Sequence, residues 1–215
     1  MRVLVLVARR YNGHELWVAL GTMQNRGHTP EVASTSKMIE DEVTGQRNTI
    51  ELLISDIDTI DPWDALMVVS GNMQDTEAYW HMPKVQEIVA QFKVADKPIA
   101  AICCSVPTIR LAAHGRKVSY FPLIRSAQLL EKAGAVLCNT SVSVDGNLVT
   151  AEHQMASQLW VESFCDILEN KPVQITLKDS GFVAGRVERK PIPELEHLKA
   201  VVKNTGKSRL RKEDK

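Results

Sequence analysis

Short apolar runs alternate along the chain with longer stretches in which apolar residues recur every third or fourth position. That is the pattern of parallel strands joined by crossover helices. Residues 2–7 contain VLVLV and predict a first strand. Between His14 and Arg26, the residues Leu16, Ala19, Leu20 and Met23 fall on one helical face, and Gly27 marks the end of that helix. A short strand is expected near Pro30 to Ala33, then a polar excursion over residues 34–46 that reads as a loop or partly exposed hairpin, then a strand over residues 49–54. ALMVV, residues 65–69, predicts a buried strand ending in Ser70-Gly71-Asn72, and Val85, Ile88, Val89 and Phe92 mark the helix that follows. PIAAI, residues 98–102, shows no polar alternation, as expected of a strand covered on both faces.

Helices are expected near residues 106–114 and 123–133, and SVSVDGNLVTA has hairpin turn chemistry at Asp145-Gly146. A long helix from about His153 to Glu169 carries Leu159, Trp160, Phe164, Ile167 and Leu168 on one face. Beyond Pro172 the pattern changes to a further hairpin and a short helix near residues 194–202. The expected organisation is therefore an α/β domain over 1–171, a hairpin-helix extension over 172–202 that packs on the core or on a second subunit, and a basic tail over 203–215. That tail has six basic and two acidic side chains with a single leucine, too little apolar surface to offset ordering.

Composition narrows the function classes. With 44% hydrophobic and 24% charged residues, 215 residues can bury a full core. Twenty-six basic and 26 acidic residues cancel, which argues against nucleic acid as the general partner. MRVLVLVARR offers a six-residue apolar run closed by arginines, too short for a signal core or a bilayer span, so no membrane partner is expected. Of the four cysteines, Cys103, Cys104, Cys138 and Cys165, two are neighbours, which suits a reduced, cytoplasmic setting better than a stapled secreted fold. No histidine and cysteine spacing matches a zinc site, and neither a metal nor a cofactor is expected.

In open α/β sheets the ligand crevice lies beyond the carboxyl ends of the strands. Loops 8–15, 70–74, 103–106 and 150–154 are expected to converge there. Cys103 stands at the carboxyl end of a buried strand, where a sharp turn into a helix aims its first side chain into the crevice. Amides at that helix start favour a thiolate. Buried cysteine is also an ordinary small core residue, so a reactive and a space-filling reading both stand, and no base is visible nearby.

AAIC after a short strand, the VVSGN turn, the glutamate of GHELW and the DGNLVTA hairpin before the last helix occur in an order that resembles the ThiJ/PfpI superfamily over about residues 1–170. That resemblance implies a three-layer flavodoxin-like sandwich with a mostly parallel sheet, related to class I glutamine amidotransferases. It implies that Cys103 is the elbow cysteine, that Glu15 is the carboxyl group bonded to its sulfur, and that the amides of Asn72 and Cys104 form an oxyanion hole. Such a hole is worth about 3 to 4 kcal/mol in acyl transfer. It also implies a homo-oligomer, commonly a dimer, and a small-molecule substrate. Three readings follow: a cysteine-dependent hydrolase or lyase for small carbonyl or acyl compounds, of glyoxalase, deglycase or amidase type; a redox-responsive protein in which Cys104 could resolve an oxidised Cys103; or a non-catalytic binding member.

The chain departs from the family pattern at both usual imidazoles. Cys103 is followed by Cys104-Ser105-Val106-Pro107 rather than His-Gly-Pro, and Phe121 stands before Pro122-Leu123 where one branch has histidine. His153, at the crevice end of the hairpin, is the first candidate for a substitute base and His14 the second. His28, His81, His114 and His197 read as surface or capping residues.

Overall fold

The computed structural model describes residues 1–173. The hairpin, helix and basic tail expected beyond Pro172 lie outside the described residues.

The first apolar run forms β1 (Arg2–Val7), followed by a short β2 (Arg10–Tyr11) and helix α1 (Gly13–Asn25). Next come β3 (Thr29–Ser34), β4 (Met38–Asp41), β5 (Arg47–Thr49), β6 (Leu52–Leu53) and β7 (Ala65–Val69). Helices α2 (Met73–His81) and α3 (Pro83–Val94) lead into β8 (Ile99–Ile102). The chain continues through β9 (Lys117–Val118), α4 (Ile124–Lys132), β10 (Val136–Leu137), β11 (Val142–Asp145), β12 (Leu148–Ala151) and α5 (Ser157–Leu168). Seven strands form one sheet in the order β11-β12-β8-β7-β1-β3-β6. Among the described residues, only the β11–β12 hairpin pairs antiparallel within it. The α/β reading with a mostly parallel central sheet holds.

Alternate residues of each central strand feed two separate cores, because side chains leave a strand on opposite faces. Leu4, Leu6, Leu66, Val68, Ile99 and Ala101 face the side packed with Val85, Ile88, Val89 and Phe92 of α3. Val3, Val5, Val7, Met67, Ala100 and Ile102 face Leu16, Ala19 and Met23 of α1 and Trp160 and Phe164 of α5. All five residues of β7 are buried, which explains the unbroken apolar run.

Several elements differ from the sequence expectation for identifiable reasons. The polar excursion takes the hairpin form that was one of its two expected readings, as β4 and β5, but it joins β2 in a separate three-stranded sheet. The strand expected over 49–54 shortens to Leu52–Leu53 and a 3₁₀ turn. Helix α2 went unforeseen because its buried face is Thr76, Tyr79 and Trp80 rather than aliphatic. The helix expected near 106–114 is a 3₁₀ segment, Cys103–Ile109, with Pro107 inside it. Proline has no N–H to continue an α-helical ladder. The last helix begins at Ser157, after a 3₁₀ turn over Gln154–Ala156, rather than at His153.

Candidate active site

Cys103 follows β8 directly and has φ = 58°, in the left-handed region that non-glycine residues rarely occupy. Such a conformation costs roughly 1 to 3 kcal/mol and persists only where its surroundings enforce it. Ser105 supplies part of that enforcement. Its hydroxyl accepts from the Ile102 amide at 3.1 Å and lies 2.8 Å from the Val68 carbonyl and 2.6 Å from the Ile102 carbonyl. Trp80 of α2 supplies another part, its indole N–H donating to the Cys104 carbonyl at 2.9 Å. The elbow is thereby tied to β7 on one side and to α2 on the other. Cys103 is half-buried at its tip and Cys104 is buried beneath it.

The four loops expected to meet do meet. The Asn12 amide donates to the Ser70 carbonyl at 2.9 Å, and the Asn12 side chain donates to Gln154 at 2.7 Å. Its Oδ1 accepts from the Glu15 amide at 3.1 Å, capping α1. Gly71 approaches β2 so closely that a Cβ there would lie 2.0 Å from the Arg10 carbonyl oxygen. Only glycine permits that contact.

Glu15 is fully buried on the first turn of α1. Its Oε2 accepts from the Ser70 amide at 2.9 Å and the Ser70 hydroxyl at 2.7 Å, while Oε1 has no hydrogen-bond partner. Burial pushes its pKa up to about 8 despite the two bonds from Ser70. The group is thus predominantly neutral at pH 7, a proton donor with one oxygen uncommitted. It interacts electrostatically with both elbow cysteines.

The two sulfurs lie 3.7 Å apart. The hydrogen bond to Cys104, burial and the neighbouring Glu15 push the Cys103 thiol up. Cys104 is lowered, because Cys103 and Ser70 both donate to its sulfur, against the cost of burial. The pair behaves as one site that ionises once and resists a second charge. Hydrogen bonds from Cys103 and Ser70 converge on the inner sulfur and favour its ionised form.

The remaining sequence candidates fall at different distances from this centre. The Cys104 amide donates to the Cys103 sulfur and lowers its pKa. The Asn72 amide donates to the Arg10 carbonyl at 2.8 Å, so in this arrangement it is engaged in bridging β2 rather than presented to a ligand. His153 is exposed, its Nδ1 accepting from the Met155 amide at 3.3 Å. Its ring stacks on Phe121 with centroids 6.0 Å apart. It makes no hydrogen bond to Glu15, Cys103 or Cys104 among the described residues. His14 is exposed while Glu15, its neighbour, is buried, as successive positions on a helix diverge. Sequence reasoning missed Ser70, Asn12 and Glu42 as site residues. Glu42 accepts from Asn12 at 3.4 Å and acts electrostatically on Glu15 and Cys104. The cap position of Asn12 before GHELW was the available signal for one of them. Among the described residues no group of three or more His, Cys, Asp or Glu side chains is arranged to hold a metal ion.

The family model of DJ-1/PfpI matches residues 1–166. The chain belongs to the DJ-1/PfpI family. Among curated relatives of this DJ-1/PfpI chain, an uncharacterized protein of Methanocaldococcus jannaschii is 29% identical over 152 residues, 70% of this chain and 73% of the relative. Deglycase PfpI of Pyrococcus furiosus is 27% identical over 172 residues, 79% of this chain and all of the relative. A deglycase of Thermococcus kodakarensis is 29% identical, covering 78% of this chain and 99% of that one. Among solved structures, the ThiJ/PfpI domain protein of Brachyspira murdochii superposes with a TM-score of 0.71 at 20% identity, covering 80% of this chain and 98% of that one. Schizosaccharomyces pombe DJ-1 gives 0.67 at 18% identity, covering 79% and 91%. No described helix is long and apolar enough to cross a membrane.

Proposed function

We propose that this DJ-1/PfpI member is a cysteine-dependent hydrolase or lyase for small carbonyl or acyl compounds, of the deglycase, glyoxalase or amidase kind. The observation that carries the reading is Glu15: a fully buried carboxyl with a raised pKa and one unpartnered oxygen, electrostatically coupled to a cysteine on a left-handed elbow. The deglycase relatives, similar along nearly their whole length, support the substrate class.

In this mechanism the Cys103 sulfur attacks the carbonyl carbon after passing its proton to the Cys104 sulfur. The developing oxyanion is met by the Cys104 amide. Glu15 gives its proton to the substrate oxygen or leaving group and takes one back in the second half-reaction, a shuttle suited to a pKa near neutral. The Asn72 amide joins the oxyanion hole only if its bridge to Arg10 opens on binding. His153 serves as the imidazole missing from the neighbourhood of the cysteine, swinging from its stack on Phe121. A dimer is the proposed assembly.

Methylglyoxal turnover tests the assignment. Cys103→Ser is expected to lose at least ~10³-fold in kcat/KM and Glu15→Gln about 10²-fold or more, the range typical of a positioned acid or base. His153→Ala is expected to lose about tenfold to a hundredfold and to shift the pH profile. Turnover unchanged in Cys103→Ser overturns the reading.

A further inference from the structure

Adjacent cysteines normally diverge, and here they do not. The left-handed backbone of Cys103 brings its sulfur to 3.7 Å from that of Cys104, close to van der Waals contact and without a group between them. Ser105 and the Trp80 indole pin the backbone on both sides of the pair, so the approach belongs to the resting fold. One sulfur is half-buried at the crevice and the other is buried below it. Cys138 lies against the hydroxyls of Ser119 and Thr140, and Cys165 is buried in the core on the α1 and α5 side of the sheet.

From this juxtaposition we infer that Cys103 and Cys104 form a reversible peroxide-reactive dithiol, closed by hydrogen peroxide to a disulfide between neighbouring residues. The inference shares the elbow sulfur with the proposed enzyme activity but does not require turnover of any carbonyl substrate.

The chemistry balances with peroxide as the sole oxidant. A thiolate of the pair attacks one peroxide oxygen; the S–O bond forms, the O–O bond breaks, and the leaving hydroxide takes up a proton as water. The sulfur is now a sulfenic acid. The second thiol gives up its proton and attacks that sulfur; the S–S bond forms, the S–O bond breaks, and a second water leaves. Two hydrogens leave the protein and one peroxide becomes two waters. Hydrogen bonds from Cys103 and Ser70 lower the pKa of the inner cysteine, which favours a thiolate within the pair.

Ring size sets the behaviour of the product. Neighbouring Cα atoms across a trans peptide are about 3.8 Å apart, whereas disulfides ordinarily span about 4.4 to 6.8 Å. The closed form is therefore strained, and strained disulfides are the more oxidising and readily reduced ones. Closure diverts the elbow sulfur from sulfinic acid, which is not recovered by thiols. The consequence is a brake on the site that a cellular dithiol releases.

Mass spectrometry of the full chain after one equivalent of hydrogen peroxide decides the matter. The peptide carrying both cysteines is expected to lose the mass of two hydrogens, to become inert to alkylation, and to recover both thiols with dithiothreitol. Cys104→Ser, given excess peroxide because a sulfinic acid consumes two equivalents, is expected instead to accumulate that acid on Cys103, unrecovered by dithiothreitol. A wild-type peptide whose main product carries added oxygen, or hydrogen loss that maps to Cys138 or Cys165, overturns the inference. Should Cys104→Ser fail to fold, the wild-type peptide mass settles the outcome alone. A chain that closes the disulfide but turns over no carbonyl compound refutes only the proposed activity.

Discussion

Glu15 holds an acid in a place where its charged form is poorly solvated, and that makes it a lever on stability as well as chemistry. Its pKa is raised from 4.5 to about 8 by burial. Below pH 4.5 the carboxyl is neutral in both folded and unfolded chains. Between about pH 4.5 and 8 the unfolded chain releases this proton while the folded chain keeps it, so stability falls as pH rises through that window and levels off above it. Each pH unit there costs on the order of 1.4 kcal/mol from this group alone. Glu15→Gln, neutral throughout, is expected to remove that slope: a deficit against wild type at pH 5 turns into an advantage at pH 8 in urea midpoints. Parallel pH curves for the two proteins contradict a buried neutral carboxyl. The candidate position of Glu15 came from its place in GHELW, but its protonation state depends on Ser70, 55 residues away, and on the sheet that buries it.

The elements meet at Asn12, which caps α1, bonds the Ser70 turn, and reaches both Glu42 after the β4 strand and Gln154 before α5. Asn12→Ala is expected to cost about 1 to 2 kcal/mol for the lost cap, read as a lower urea midpoint with unchanged slope. It is also expected to lower kcat more than it raises KM, since it frees the turn that carries Glu15. Cap loss without any change in kcat would reduce Asn12 to a helix-stabilising residue. At this scale strongly periodic segments were readable: β1, α1, β7, β8 and the β11–β12 hairpin are where the apolar pattern put them. Elements with mixed faces were not. Thr76, Tyr79 and Trp80 are buried in α2 because the Gly71 amide, the Val7 carbonyl at the end of β1 and the Cys104 carbonyl of the elbow supply their partners, Tyr79 donating to Val7 at 2.7 Å.

For the whole molecule, the described residues build two apolar cores on opposite faces of one sheet. The family match ends at residue 166. A chain ending at Lys171 is therefore expected to keep cooperative unfolding and elbow chemistry, while the proposed dimer, if residues 172–215 hold it, dissociates. Light scattering of both chains checks this: a shortened chain that keeps the full chain's oligomeric state overturns the assignment of assembly to that segment. The order of strands and helices, the buried character of the central strands and the place of Cys103 at a strand end were determined by the sequence itself, since side-chain periodicity is a local property of the backbone. Sulfur separation, the neutrality of Glu15, the engagement of the Asn72 amide and the stack of His153 on Phe121 were decided only by tertiary structure. Each depends on distance, burial and partners that segments far apart along the chain supply together.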